Sequence, residues 1–148
     1  MSAEQKVLVT GVIGSDTHIV GNRILSMALE KAGYKVVALG ALTPAPEFVK
    51  AAIETDADAI LVSSLYGQGE LDCRGFRELC IEAGLDDMLV YIGGNLIVGK
   101  HPWPEIEKIF LDMGFDRVAA PGTRAETVIE WLAQDFAARD SRLRETQD

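Results

Sequence analysis

Apolar residues along this chain fall into short, nearly unbroken runs separated by amphipathic stretches, and the alternation repeats from end to end. The runs from Val7 to Ile13, Lys35 to Leu39, Ala59 to Val62, Met88 to Ile92 and Arg117 to Ala119 are rich in β-branched residues, which favour extended backbone. They predict short buried strands. Between them, apolar positions recur at helical spacing and predict helices over Gly21 to Ala32, Pro46 to Glu54, Glu70 to Ala83, Pro104 to Met113 and Arg124 to Ala138. Three of these end in glycine, in Lys31-Ala32-Gly33, Glu82-Ala83-Gly84 and Asp112-Met113-Gly114, where a residue with positive φ stops a helix before the next strand. Strands that are apolar on both faces must be covered on both, so the alternation predicts a parallel sheet between two helical layers, joined by right-handed crossovers. The expected fold class is α/β, a flavodoxin-like (Rossmann-like) doubly wound five-stranded sheet in the order 2-1-3-4-5. It should occupy one domain, residues 1–138, followed by a polar C-terminal tail, 139–148, that frays.

Composition fits that picture and removes several alternatives. With 148 residues and 48% hydrophobic content the chain can bury one full core and not a second. A net charge of −9, without clustered Lys and Arg, argues against a nucleic-acid surface, which must neutralise phosphates. The amino terminus lacks the charged-then-apolar plan of a signal peptide, and no apolar run approaches the roughly 20 residues of a membrane span, so a cytoplasmic protein is expected. Cys73 and Cys80 do not form a CxxC pair and read as reduced thiols rather than a zinc or redox motif.

Open α/β sheets bind ligands at the carboxyl ends of their strands, beside the point where strand order reverses. For this order, that brings together the loops after the first, third and fourth strands: Ser15 to Gly21, Ser63 to Gly69 and Gly93 to Gly99. The first holds His18, with Asp16 before it and Gly21 after it. The other two combine glycines, which let backbone approach a ligand, with Ser63, Ser64 and Asn95 as small hydrogen-bonding groups. With Leu96, Ile97 and Val98 as lining and no cluster of positive charge, the pocket suits a large, mostly neutral ligand. Other ligands of this architecture fit poorly. A phospho-accepting receiver needs an Asp ending strand three and a Lys after strand five, where this chain has Ser63-Ser64 and Ala119-Ala120-Pro121. Asp16 would repel a flavin phosphate, and no GxGxxG opens the first helix. On the residues alone, His18 can be a solvated loop residue, Asp16 and Ser63 or Ser64 helix caps, and Gly93-Gly94 a simple turn. His101 reads as structural or solvent-facing, and Trp103 and Trp131 as core or interface aromatics.

Their joint placement carries a resemblance. Asp16-Thr17-His18-Ile19-Val20-Gly21 fits the DxHxxG signature of cobalamin-binding domains that take the cofactor base-off and His-on, and Ser63-Ser64-Leu65 and Gly93-Gly94-Asn95 stand where that family's second and third motifs do. Together with Gly11 to Asp16, Ala51 to Thr55, Ser63 to Glu70 and Pro121-Gly122-Thr123, nearly the whole chain resembles the small (S, or sigma) subunits of glutamate mutase, also called methylaspartate mutase.

The resemblance implies adenosylcobalamin as cofactor. His18 would displace the dimethylbenzimidazole and bind cobalt axially, and Asp16 would accept a hydrogen bond from the other ring N–H, fixing tautomer and orientation. Cofactor contacts would come from Ser15, Asp16, Thr17, His18, Ile19 and Gly21, then Ser63, Ser64 and Leu65. Gly93, Gly94, Asn95, Leu96, Ile97, Val98 and Gly99, with Pro121 and Gly122, would complete the wall. The displaced nucleotide tail would lie between the sheet and the first helix. The implied reaction is the radical interconversion of L-glutamate and L-threo-3-methylaspartate, in glutamate degradation through methylaspartate and mesaconate. Arg23, Arg74, Arg77, Arg117 and Arg124 are scattered rather than gathered at these loops, so the dicarboxylate site is expected on a larger partner. In the family this is the E (epsilon) subunit, a TIM barrel, in an E2S2 heterotetramer without nucleic acid or membrane. The competing expectation is a corrinoid carrier protein of a methyltransferase system, or another B12-binding mutase component; carriers usually hold a helical bundle ahead of the DxHxxG domain, for which a strand starting at Val7 leaves no room.

Overall fold

The computed structural model describes residues 5–13, 20–40, 43–64, 73–93, 102–120 and 122–147. Strands β1 (Val7–Val12), β2 (Lys35–Ala38), β3 (Ala59–Ser63), β4 (Leu89–Gly93) and β5 (Arg117–Ala119) pair in parallel in the order β2-β1-β3-β4-β5. This is the expected doubly wound sheet. The helices among the described residues are α1 (Val20–Lys31), α2 (Ala45–Thr55), α3 (Phe76–Glu82), α4 (Trp103–Asp112) and α5 (Ala125–Gln147). No helix among the described residues is long and apolar enough to cross a membrane.

Side-chain alternation along the strands divides the core in two. Val9, Ile60, Val62, Val90, Ile92 and Val118 face one cluster, against Phe48 of α2, Phe76 of α3 and Phe110 of α4. Leu8, Ala59, Leu61, Leu89 and Tyr91 face the other, against Leu29 of α1 and Val128, Leu132 and Phe136 of α5. The first face is densely aromatic: Phe76 lies 5.8 Å from Phe48 and 5.7 Å from Phe115, centroid to centroid. Cys73 and Cys80 are buried within it and not joined by a disulfide, and Trp103 packs at its margin.

Local chemistry sets the element ends. Gly33, Gly84 and Gly114 all have positive φ, as expected of helix stops. At Gly114 even a methyl group would meet Arg77 Cβ at 2.7 Å, because the Arg77 side chain crosses there to bond the Gly114 and Met88 carbonyls and the Asp116 carboxylate. Pro46 and Pro104 occupy first turns, where their missing N–H costs nothing.

Two boundaries differ from expectation. The helix expected over Glu70 to Ala83 is interrupted: Cys73 is helical, Gly75 at φ 83 breaks the path, and α3 starts afresh at Phe76, while 70–72 lie outside the described residues. Helix α5 runs through Gln147 instead of fraying after Ala138. Arg139 anchors the extension by donating to the Asp58 carbonyl and carboxylate, and Lys6 pairs with Asp140, both at the amino edge of the sheet.

Candidate functional site

Register places the site. Val12, Ser63, Gly93 and Ala119 are partners in one row across β1, β3, β4 and β5, the last row at the carboxyl edge. By alternation, the row faces α1 and α5. One step back toward the amino edge, the same face carries Leu61, Tyr91 and Arg117. Side chains therefore shrink abruptly, from Leu61 to Ser63, Tyr91 to Gly93 and Arg117 to Ala119, and the space they vacate is a cavity of about 50 Å³. Leu25 of α1 and Val128 and Trp131 of α5 close it from above; Leu61, Ser63, Tyr91, Gly93 and Ala119 form its sheet side.

The backbone around this edge is fixed from several directions. Ile13 N–H donates to the Ser63 carbonyl at 3.0 Å, and Ser64 N–H to that of Gly93 at 2.9 Å, so the departure points of three loops are tied to one another. Ser64 is buried. Gly93 packs closely on β5: a Cβ there would lie 3.1 Å from Ala119 Cβ. Gly122, at φ 86, turns the chain after β5, and Thr123 donates its hydroxyl to the Ala120 carbonyl at 2.7 Å. Beneath the edge, the buried Thr10 and Ser26 hydroxyls share a hydrogen bond of 3.0 Å that holds α1 on β1.

The structure thus brings Ser63, Ser64 and Gly93 together, puts Gly21 in the first turn of α1 and places Gly122 in the turn after β5. Ser15, Asp16, Thr17, His18, Ile19, Leu65, Gly94, Asn95, Leu96, Ile97, Val98, Gly99, Pro121 and His101 lie outside the described residues. Chain connectivity nevertheless fixes where their segments leave. Residues 14–19 follow Ile13, 65–72 follow Ser64 and 94–101 follow Gly93, at neighbouring points of the same edge.

Several lining residues were not legible as site residues. Leu25, Tyr91, Val128 and Trp131 read in sequence as ordinary core positions, and nothing but the tertiary fold brings α5 over the carboxyl edge. Tyr91 is held by a polar network: its hydroxyl donates to Asp135, which also receives Arg117 Nε at 2.8 Å and Nη2 at 2.9 Å. The Arg117 guanidinium lies 5.3 Å from the Trp131 ring centre, and Trp131 meets Tyr91 edge-to-face at 6.1 Å. Burial, then the bond to Asp135, pushes the Tyr91 phenol far above its ordinary range. Burial would raise Asp135, but the bonds from Arg117 and Tyr91 outweigh it and hold its carboxyl below the usual carboxylate value.

A larger cleft of about 550 Å³ lies along the outer side of β5, between α4 and α5. Its arginine is committed to Asp135, and its Asp116 to Arg77. It also lies away from the loop departures, so the carboxyl-edge cavity is the candidate site.

Comparison with known proteins identifies the family. The B12 binding domain family model matches residues 6–129. The chain is 60% identical over 133 residues to a glutamate mutase sigma subunit of Clostridium cochlearium, covering 90% of this chain and 97% of that protein. It is also 60% identical over 129 residues to that of Carboxydothermus hydrogenoformans, covering 87% and 94%. A cobalamin-binding protein from Desulfitobacterium hafniense superposes with a TM-score of 0.73 at 20% identity, over 89% of this chain and 60% of that one, a likeness of fold. With the family model spanning most of its length and such identity along nearly the whole of its relatives, the chain belongs to the B12-binding domain family and, within it, to the glutamate mutase sigma subunits.

Proposed function

We propose that this chain is the cofactor-holding subunit of an adenosylcobalamin-dependent glutamate mutase, and that His18 would hold the cofactor's cobalt in place of the cofactor's own base. The observation that carries the reading is the carboxyl-edge row Ser63–Gly93–Ala119, whose small side chains leave a cavity between the sheet and helices α1 and α5. A displaced nucleotide tail needs an apolar slot beside the loop that supplies the metal ligand, and this cavity adjoins the point where residues 14–19 leave β1. The residues present fit the group.

Each residue then has a physical task. His18 would bind cobalt through one ring nitrogen. Asp16 accepts a hydrogen bond from the other ring N–H and so sets tautomer and basicity. Ser15, Thr17, Ile19 and Gly21 shape the same loop, and Gly21 opens α1. Ser63, Ser64 and Leu65 border the slot, and Gly93 to Gly99 with Pro121 and Gly122 complete its wall. When bound, the cofactor supplies a homolysable cobalt–carbon bond, the source of the radical that starts rearrangement of L-glutamate to L-threo-3-methylaspartate.

The chain offers no assembled clamp for a dicarboxylate among its described residues. Arg77 and Arg117 are bound to Asp116 and Asp135, and Arg139 to Asp58. The substrate site therefore belongs to a larger E subunit, in an E2S2 assembly. The buried Cys73 and Cys80, not joined by a disulfide, suit the reducing cytoplasm as its compartment.

The test is spectroscopic. Protein labelled with nitrogen-15 histidine, loaded with cobalamin and reduced to the cobalt(II) form, should show the labelled nitrogen's coupling in its electron paramagnetic resonance spectrum. His18→Gly should lose that coupling, bind cobalamin at least about tenfold more weakly and nearly abolish turnover with the E subunit. A benzimidazole nitrogen on cobalt in the unsubstituted chain overturns the reading.

A further inference from the structure

Two hydroxyls lie buried where the carboxyl half of β1 meets α1. Thr10 is fully buried, Ser26 is 7% exposed, and their oxygens share a hydrogen bond of 3.0 Å. Alternation turns Thr10 toward α1, since its neighbour Gly11 faces Phe48 of α2 in the opposite layer. The surroundings are apolar: Thr10 stands beside Ala38 and Leu61 in the strand register, and Leu25 and Leu29 carry α1 on the same layer. Buried hydroxyls cost free energy unless paired, and two apolar groups of similar size would fill this place without that cost. What the pair adds is direction. Apolar packing is non-directional and lets a helix shift along a sheet by about 1–2 Å, whereas a hydrogen bond is lost once its atoms separate beyond about 3.5 Å.

The place of the bond gives that direction a use. The end of β1 is fixed on the sheet by its backbone: Val12 N–H donates to the Gly40 carbonyl and Ile13 N–H to that of Ser63. The start of α1, at Val20, goes where the body of the helix puts it, and Ser26 lies about two turns in. Residues 14–19, His18 among them, connect the two. We propose that Thr10 and Ser26 are positioning residues for the metal ligand: their hydrogen bond sets where α1 lies along β1, and with it the span that the segment carrying His18 must bridge. The inference rests on the reading that His18 binds cobalt. A metal–ligand bond is sensitive to displacements of about 0.2 Å, far less than a helix can shift on apolar contacts alone. A directional contact between β1 and α1 therefore serves the ligand more than it serves the core.

The test is a double-mutant cycle on the purified chain, with adenosylcobalamin as titrant and nitrogen-15 histidine labelling for the cobalt(II) spectrum. Thr10→Val or Ser26→Ala alone leaves one hydroxyl facing a methyl group and should lower the melting temperature by several degrees. The double variant pairs two apolar groups and should recover most of that loss. Its Kd should nonetheless stay on the order of tenfold above that of the unsubstituted chain, and part of its cobalt(II) signal should lack the labelled-nitrogen coupling. Thr10→Ser, which keeps the hydroxyl, should hold Kd within about threefold and the coupling whole. Ser26→Ala, a change suited to a helix interior, carries the same readouts should the double variant fail to fold. A folded double variant, or in its place a folded Ser26→Ala, with unchanged Kd and full coupling would overturn this inference and leave the site reading standing. A benzimidazole nitrogen on cobalt in the unsubstituted chain would overturn the site reading and this inference with it.

Discussion

At the residue scale, the most informative group among the described residues is Asp135, because it joins a tyrosine, an arginine and the wall of the cavity. Its side chain is 20% exposed and receives three bonds from Tyr91 and Arg117. Its carboxyl pKa is lowered on folding, so the unfolded chain takes up a proton first as pH falls. The stability it contributes is therefore fully present above the ordinary carboxylate range and disappears as pH drops through the depressed folded value. Asp135→Asn should cost about 2 kcal/mol at neutral pH, and the difference from the unsubstituted chain should close in acid. Denaturant melts across the acid range check this; a gap that stays constant with pH would show that the carboxylate's charge is not what matters. Tyr91 works in the opposite direction. Its raised pKa keeps it protonated in the folded state, so its share is lost only above the ordinary phenol value of 10.0. Nothing in the local sequence marked this trio. Tyr91 sits inside an apolar run and Asp135 on a polar helix face, and only the packing of α5 on β4 and β5 makes them neighbours.

At the scale of elements, the glycine stops were legible because they follow from backbone sterics that act within a few residues. The true length of α5 was not. Its last turns, from Arg139 onward, are rich in charge and lack the apolar stripe by which a helix is recognised, and its continuation depends on partners distant in sequence. Arg139 reaches Asp58, whose other carboxylate oxygen accepts from Val7 N–H at 2.8 Å, so one contact links the helix to β1 and to the entry of β3. It also lies 5.1 Å from the Phe136 ring centre. Truncation after Ala138 should remove this link and lower stability by roughly 1–3 kcal/mol, since Asp58 is left without its cation. Because the link sits at the amino edge and the cavity at the carboxyl edge, the Kd for cobalamin should hold within about twofold at a temperature where both chains are folded. A large loss of affinity in the truncated, folded chain would mean that α5 transmits its anchoring to the site.

At the scale of the whole molecule, strand order was legible because it follows from the period of the apolar pattern and the preferred connections of open parallel sheets. The cavity's far wall was not, since it depends on which helix covers which face. The two faces are built for different ends. The α2–α3–α4 face is filled by phenylalanines, whereas the α1–α5 face keeps a space at its carboxyl edge. Substitutions on the two faces should therefore separate stability from binding. Phe76→Leu, at a residue 1% exposed, should cost roughly 1–2 kcal/mol and lower the melting temperature by several degrees, with cobalamin affinity of the folded chain unchanged. Gly93→Ala adds one methyl group at the cavity edge, 3.1 Å from Ala119 Cβ, where a shift of a few tenths of an ångström accommodates it. It should change stability by no more than about 1 kcal/mol and weaken cobalamin binding on the order of tenfold, because the space it takes is the space that the proposed site assigns to the nucleotide tail. Melting curves and calorimetric titrations of the two variants read the contrast directly, and affinity that follows stability in both would show that the two faces do not divide the work.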